Sequence, residues 1–172
     1  SKGMDIKNSN VFLDRGFFAY RNYKIEGGVR TTGLPGQEKS VGIRAQNSIV
    51  RCNVDKTKYA SGMDYAFNIQ GHTVGIELHN SRFWGGYKRQ SAVKPETTIA
   101  IGYNNKGIDA EGSIIDIDGN LDIYNNDIGL DLNNSLLKVD HLTVENNNDN
   151  GILANNSTII YNKNFTRNLY HN

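Results

Sequence analysis

The chain has 172 residues, a formal net charge of +1 and 37% hydrophobic residues, with 18 glycines, two prolines and one cysteine. Length alone predicts a single domain. The near-zero charge gives no global electrostatic case for nucleic acid or an anionic membrane. The lone Cys52 excludes an internal disulfide, and no run approaches the ~18 apolar residues of a transmembrane helix.

A repeat organises the chain. The first copy reads Gly3, Met4, Ile6, Asn8, Ser9 and Val11. The second reads Gly42, Ile43, Ala45, Asn47, Ser48 and Val50, and the third Gly75, Ile76, Leu78, Asn80, Ser81 and Phe83. The fourth opens at Gly107 with Ile108, Ala110, Gly112, Ser113 and Ile115. The fifth is Gly129, Leu130, Leu132, Asn134, Ser135 and Leu137, and the sixth Gly151, Ile152, Ala154, Asn156, Ser157 and Ile159. The last three copies start 22 residues apart. A fixed period in the low twenties, carried by apolar positions two apart, is the signature of a solenoid whose coils are made of strands.

In the first coil, strands are predicted at 4–6, 10–13 and 17–20, followed by a Gly-rich surface loop at 26–40. The second coil carries an insertion at 53–62 and a third strand at 66–69. The third inserts after Trp84 and returns through 98–101. These two insertions share one corner in adjacent coils and should emerge side by side, as insertions on the binding face of solenoids do. The later coils are bare, with third strands at 121–123, 142–144 and a weaker one near Phe165. The doublets Asn104-Asn105, Asn125-Asn126 and Asn146-Asn147 mark a second recurring turn. The His residues 72, 79, 141 and 171 show no ligand spacing and are expected at the surface or in turns.

Three columns predict the interior. Ile43, Ile76, Ile108, Leu130 and Ile152 should stack and be buried. Ile6, Ala45, Leu78, Ala110, Leu132 and Ala154 alternate large and small, which keeps a stacked core even in volume. Cys52 falls with Leu13, Ile117 and Val139 as buried filler. Asn8, Asn47, Asn80, Asn134 and Asn156 share a column in which Gly112 is the exception; Asn and Gly best tolerate a left-handed turn, and the amides are expected to stack as a buried ladder. The fold expected is all-β: a single-stranded parallel β-helix of about six coils spanning 1–172, right-handed by the general preference of parallel connections.

Two surfaces can carry chemistry. One outward column runs Asp5, Arg44, Glu77, Asp109, Asp131 and Leu153. Carboxylates stacked ~4.8 Å apart need a cation, a raised pKa or full solvation. Glu77, Asp109 and Asp131 are therefore a solvated acidic ridge, a cation site or catalytic residues; neighbours suit a retaining glycosidase and carboxyls two coils apart an inverting one. The second surface is basic and aromatic: Arg51, Lys56, Lys58, Tyr59, Trp84, Tyr87, Lys88 and Arg89. Exposed rings offer a sugar an apolar face, and Lys or Arg can bind acidic groups. Lys58, Tyr59, Trp84, Tyr87, Lys88 and Arg89 are the candidate carbohydrate-binding residues. No cofactor and no metal centre is expected.

The 22-residue coil with its Asn and Ser columns resembles the right-handed parallel β-helix proteins, the group of pectate lyases and bacteriophage tailspikes and tail fibres. The resemblance spans nearly the whole chain. It implies carbohydrate as the ligand class, a location in a virion tail or outside the cell, and a homotrimer or neighbouring segments of one fibre as partners. Signatures of the enzymatic branches are missing: Gly71-His72 is followed by Thr73, no Asp-Asp pair occurs, and neither Pro35 nor Pro95 has the lyase flanks. The expected function is a tail segment that recognises host surface polysaccharide, without nucleic acid or membrane insertion and within a longer chain. Alternatives are a polysaccharide depolymerase working through the acidic ridge and a bacterial surface adhesin. The outward column Ile49, Arg82, Ile114, Leu136 and Thr158 is partly apolar, as a face between copies would be.

Overall fold

A computed structural model of the chain describes residues 2–13, 41–53, 67–86 and 98–161. The described residues are all-β, with every strand pairing parallel. The strands are β1 (Lys2–Lys7), β2 (Asn10–Leu13), β3 (Val41–Gln46), β4 (Ile49–Asn53), β5 (Phe67–Gln70), β6 (Val74–His79), β7 (Arg82–Gly86), β8 (Thr98–Gly102), β9 (Lys106–Glu111), β10 (Ile114–Tyr124), β11 (Ile128–Asn133), β12 (Leu136–Glu145), β13 (Asn150–Asn155) and β14 (Thr158–Tyr161). The chain alternates between two sheets. One is ordered β1-β3-β6-β9-β11-β13, and the other β2-β4-β7-β10-β12-β14 with β5 and β8 joined beside it. The third strands predicted at 66–69 and 98–101 appear as β5 and β8, and those at 121–123 and 142–144 are the second halves of β10 and β12. The strand at 17–20, the loop at 26–40 and the strand near Phe165 lie outside the described residues.

Register follows the repeat. In the first sheet Met4, Ile43, Ile76, Ile108, Leu130 and Ile152 are successive partners, as are Ile6, Ala45, Leu78, Ala110, Leu132 and Ala154. Their side chains meet those of Val50, Phe83, Ile115 and Leu137 from the second sheet, and of Ile69, Ile101 and Ile123, in one hydrophobic core. Cys52 is buried among them, and burial pushes its thiol pKa upward. Ile152 is only partly buried and Ala154 is exposed, because β13 pairs with β11 alone among the described strands.

The recurring residues each have a physical cause. A Cβ at Gly42, Gly75 or Gly107 would sit 2.6, 2.6 or 2.5 Å from the carbonyl oxygen of the equivalent glycine in the next repeat, and one at Gly129 would clash with that of Gly151 in the same way. Side chains there would force the paired strands apart. The Ser column is a continuous hydrogen-bond ladder. Each hydroxyl donates to the carbonyl two residues back, as Ser48 does to Gln46 (2.7 Å) and Ser113 to Glu111 (2.8 Å). Every one after Ser9 also accepts the backbone N–H of the preceding repeat's serine: Ser9 to Ser48, Ser48 to Ser81, Ser81 to Ser113, Ser113 to Ser135 and Ser135 to Ser157, all at 3.0–3.1 Å. Only a short side chain with a hydroxyl fills both roles in that space.

Asn8, Asn47, Asn80, Asn134 and Asn156 have φ of 47–49°, and Gly112 has φ 57°. Their side chains are exposed, so the expected buried ladder is corrected to a surface one; bonds join Asn47 to Asn8 (3.3 Å) and Asn156 to Asn134 (2.6 Å). The buried amide ladder lies at the other turn. Asn126 is fully buried; its amide donates to Asn147 Oδ1 (3.0 Å) and to the carbonyls of Ile101 and Tyr124 (3.3 and 3.1 Å). Asn104 in turn donates its amide and its backbone N–H to Asn126 Oδ1, both at 3.0 Å, and the backbone N–H of His72 donates to Asn104 Oδ1 (2.9 Å). His72 occupies the ladder position of the coil before and is buried there, so the surface half of its expectation does not hold.

Candidate functional site

The acidic column forms with the register expected: Asp5, Arg44, Glu77, Asp109, Asp131 and Leu153 are successive partners on one face of the first sheet. Each of its three candidate catalytic carboxylates is held by a cation. Glu77, buried, accepts from Arg44 Nη2 at 2.7 Å and Nε at 3.1 Å. Its other oxygen lies 3.1 Å from His79 Nε2, and Nδ1 of that ring is 3.2 Å from Glu111. Asp109 and Asp131 share Lys106, whose Nζ is 3.1 Å from the first and 2.6 Å from the second.

Lys106 resolves the like-charge problem that the column poses. Partial burial of its ammonium works against the charge, but the bonds it donates to Asp131 and Asp109 and their negative charge outweigh this, and its pKa is raised. The ridge as the sequence displays it contains neither Lys106 nor His79. Lys106 belongs to a column shared with Val41, Val74 and Ile128, which reads as apolar. His79 lies two residues beyond Glu77 on the same strand face, and that spacing is the signal that could have found it. Among the described residues no group of three His, Cys, Asp or Glu side chains is arranged to hold a metal ion.

Trp84 lies on the second sheet. Its outward column runs Phe12, Arg51, Trp84, Asp116, Lys138 and Ile160. Phe12 is 58% exposed, Arg51 is exposed and Trp84 is half-buried. An aromatic, a cation and an aromatic thus stand at successive strand spacings. Beyond them Asp116 bridges Arg82 (3.0 Å) and Lys138 (3.6 Å). Lys58, Tyr59, Tyr87, Lys88 and Arg89 lie outside the described residues.

The roots of both insertions are described. Asn53 pairs with Gly86, which pairs with Asp118; Phe67 pairs with Ile99, which pairs with Leu121. Segments 54–66 and 87–97 therefore leave and rejoin adjacent coils where β10 turns with Gly119 alone, between Asp118 and Asn120. No family model, curated protein or solved structure matches the chain. What its surfaces bind has to follow from their own chemistry.

Proposed function

We propose that the chain is a single-stranded right-handed parallel β-helix of about six coils, a segment of a phage tailspike or tail fibre that recognises host surface polysaccharide. Strands that return to the same two parallel sheets in every repeat, with one residue of each repeat paired to its equivalent in the next, support the coiled reading. The general hand of parallel connections supports the right-handed sense. The resemblance in coil length and in the Ser and Asn columns supports the tail assignment, and with it a homotrimer outside the cell.

The observation that carries the binding reading is the Phe12–Arg51–Trp84 column beside the corner where two long insertions root in adjacent coils. Stacked rings supply area to a sugar, and the sequences inserted between those roots contain Tyr59, Tyr87, Lys58, Lys88 and Arg89. Calorimetry against purified bacterial surface polysaccharides tests it. Trp84→Ala should weaken binding about ten-fold through lost stacking area. Lys88→Ala and Arg89→Ala should do so only for an acidic sugar, and less at high salt. Binding equal to the parent in Trp84→Ala, Tyr87→Ala, Lys88→Ala and Arg89→Ala refutes this face as the site.

A further inference from the structure

The turn that leads from each third strand into the first sheet holds one residue per coil in the left-handed backbone region. In chain order these are Gly71 (φ 76°), Tyr103 (φ 56°), Asn125 (φ 51°) and Asn146 (φ 52°). Gly and Asn adopt that conformation with little strain; a bulky aromatic does not. Burial does not account for it, since Tyr103 is 59% exposed. A side chain set against its backbone preference, and left in solvent, points to a role at the surface.

The ring is held in a fixed attitude. It meets Tyr124 edge to face, with centroids 5.6 Å apart and planes at 87°. Tyr124 is itself pinned, for its hydroxyl accepts a hydrogen bond from Gln70 Nε2 at 2.7 Å. Gln70, Gly102 and Tyr124 are successive partners in one outward column, so this bond spans the intervening coil. It can do so because Gly102 has no side chain: a Cβ there would lie 2.6 Å from the Tyr124 ring. Three coils thus position one exposed aromatic face.

The neighbouring chemistry says what that face suits. The Tyr124 column continues to Glu145, and the column beside it places Asp122 next to Thr143, whose hydroxyl bonds the Asp122 carboxylate. Among the described residues these two columns offer carboxylate, amide and hydroxyl groups and no cation. Lys106, the Lys nearest Tyr103 in sequence, is engaged with Asp109 and Asp131, and Lys138 is paired with Asp116. Carboxylates accept hydrogen bonds from sugar hydroxyls and repel uronate or sulfate groups.

We infer a second glycan-binding site, separate from the Trp84 face, at which an uncharged sugar stacks on Tyr103 with its hydroxyls donating to Glu145 and Asp122. Tyr103→Asn is the decisive variant. It installs the residue that the next two coils use at this turn, so the backbone is preserved or relaxed while the ring is removed. The probe is an array of neutral, N-acetylated and uronate-containing oligosaccharides, followed by calorimetry on the tightest uncharged binder. The parent should bind an uncharged oligosaccharide, Tyr103→Asn about ten-fold or more weakly, with its melting temperature unchanged or raised. Trp84→Ala should retain this binding. A parent that binds no sugar or only uronates, or a Tyr103→Asn protein that binds like it, overturns the inference. So does a Tyr103→Asn protein that melts lower, which assigns the ring to the fold, or one that abolishes self-association in sedimentation, which assigns it to a contact between copies. Binding lost in Trp84→Ala but kept in Tyr103→Asn overturns it too, while leaving the Trp84 reading standing.

Discussion

Replacing Ser113 by Ala removes one rung from the middle of the serine ladder. Two bonds go: the hydroxyl's donation to Glu111 O at 2.8 Å and its acceptance from Ser81 N–H at 3.0 Å. They are not equivalent. The Glu111 carbonyl keeps a second partner, the Asn80 N–H at 2.9 Å, so it stays satisfied. The Ser81 N–H has no such substitute in its surroundings, where Ser81 is 5% and Ser113 2% exposed. A buried donor stripped of its acceptor costs about 1–3 kcal/mol, and about 2 kcal/mol is the figure for this geometry. For a chain of this size that is a fall in melting temperature of about 4–8 °C. Ser9→Ala is the internal control. Ser9 is exposed and loses only its bond to Lys7 O at 2.7 Å, so water takes its place and the change should stay below about 0.5 kcal/mol. Thermal melts followed by far-ultraviolet circular dichroism measure both. Equal shifts for the two variants, or a Ser113→Ala protein that melts with the parent, would refute the ladder as a source of stability.

Urea unfolding should separate the two asparagine columns. Asn126→Ala strips the backbone N–H and the amide of Asn104 of their shared acceptor in the interior, while Asn147 Oδ1 keeps the backbone N–H of residue 126, and should cost about 3 kcal/mol; Asn134→Ala loses one exposed bond and adds left-handed strain of about 1 kcal/mol. Asp122 supplies a pH test. Burial raises its carboxyl above the ordinary 3.8, with Glu145 adding to the shift and the Thr143 bond opposing it. The folded chain therefore holds that proton to higher pH than the unfolded chain. The penalty is absent below 3.8, grows as pH rises toward the folded value and is constant above it. Asp122→Asn should melt above the parent at pH 7 and with it at pH 3; a constant difference across that range sinks the assignment.

The parallel pairing was legible because it depends on period alone. Gly107, Gly129 and Gly151 and their companions are spaced at 22 residues whatever the atoms do, and the register they imply is the register found. What the columns do was less legible. The Ser column was visible as identity without a reason, since both its bonds run to backbone groups that no sequence displays. The Asn column reads as interior because Asn ladders stack there, yet at this turn the side chains are exposed. The ladder that is buried was hidden by irregular doublets: Asn104-Asn105 looks like Asn125-Asn126, but it is Asn104 that stands in register with Asn126, so Tyr103 is the partner of Asn125. Tyr103 carried no signal for the same reason. A left-handed residue is recognisable in sequence when it is Gly or Asn and invisible when it is Tyr.

The alternation of Ile6, Ala45, Leu78, Ala110, Leu132 and Ala154 has a consequence for how the chain finds one arrangement. The serine and glycine columns are the same in every coil, so they would accept a strand that skipped a neighbour as readily as one that did not. A structure assembled from such rungs alone would have many near-degenerate misalignments. Skipping one coil, however, brings Leu78 against Leu132 or Ala110 against Ala154, overfilling one layer and hollowing the next. The large–small sequence is a parity check: it distinguishes odd coils from even ones. The error that passes it is a slip by two coils, which would have to loop out an entire pair at once.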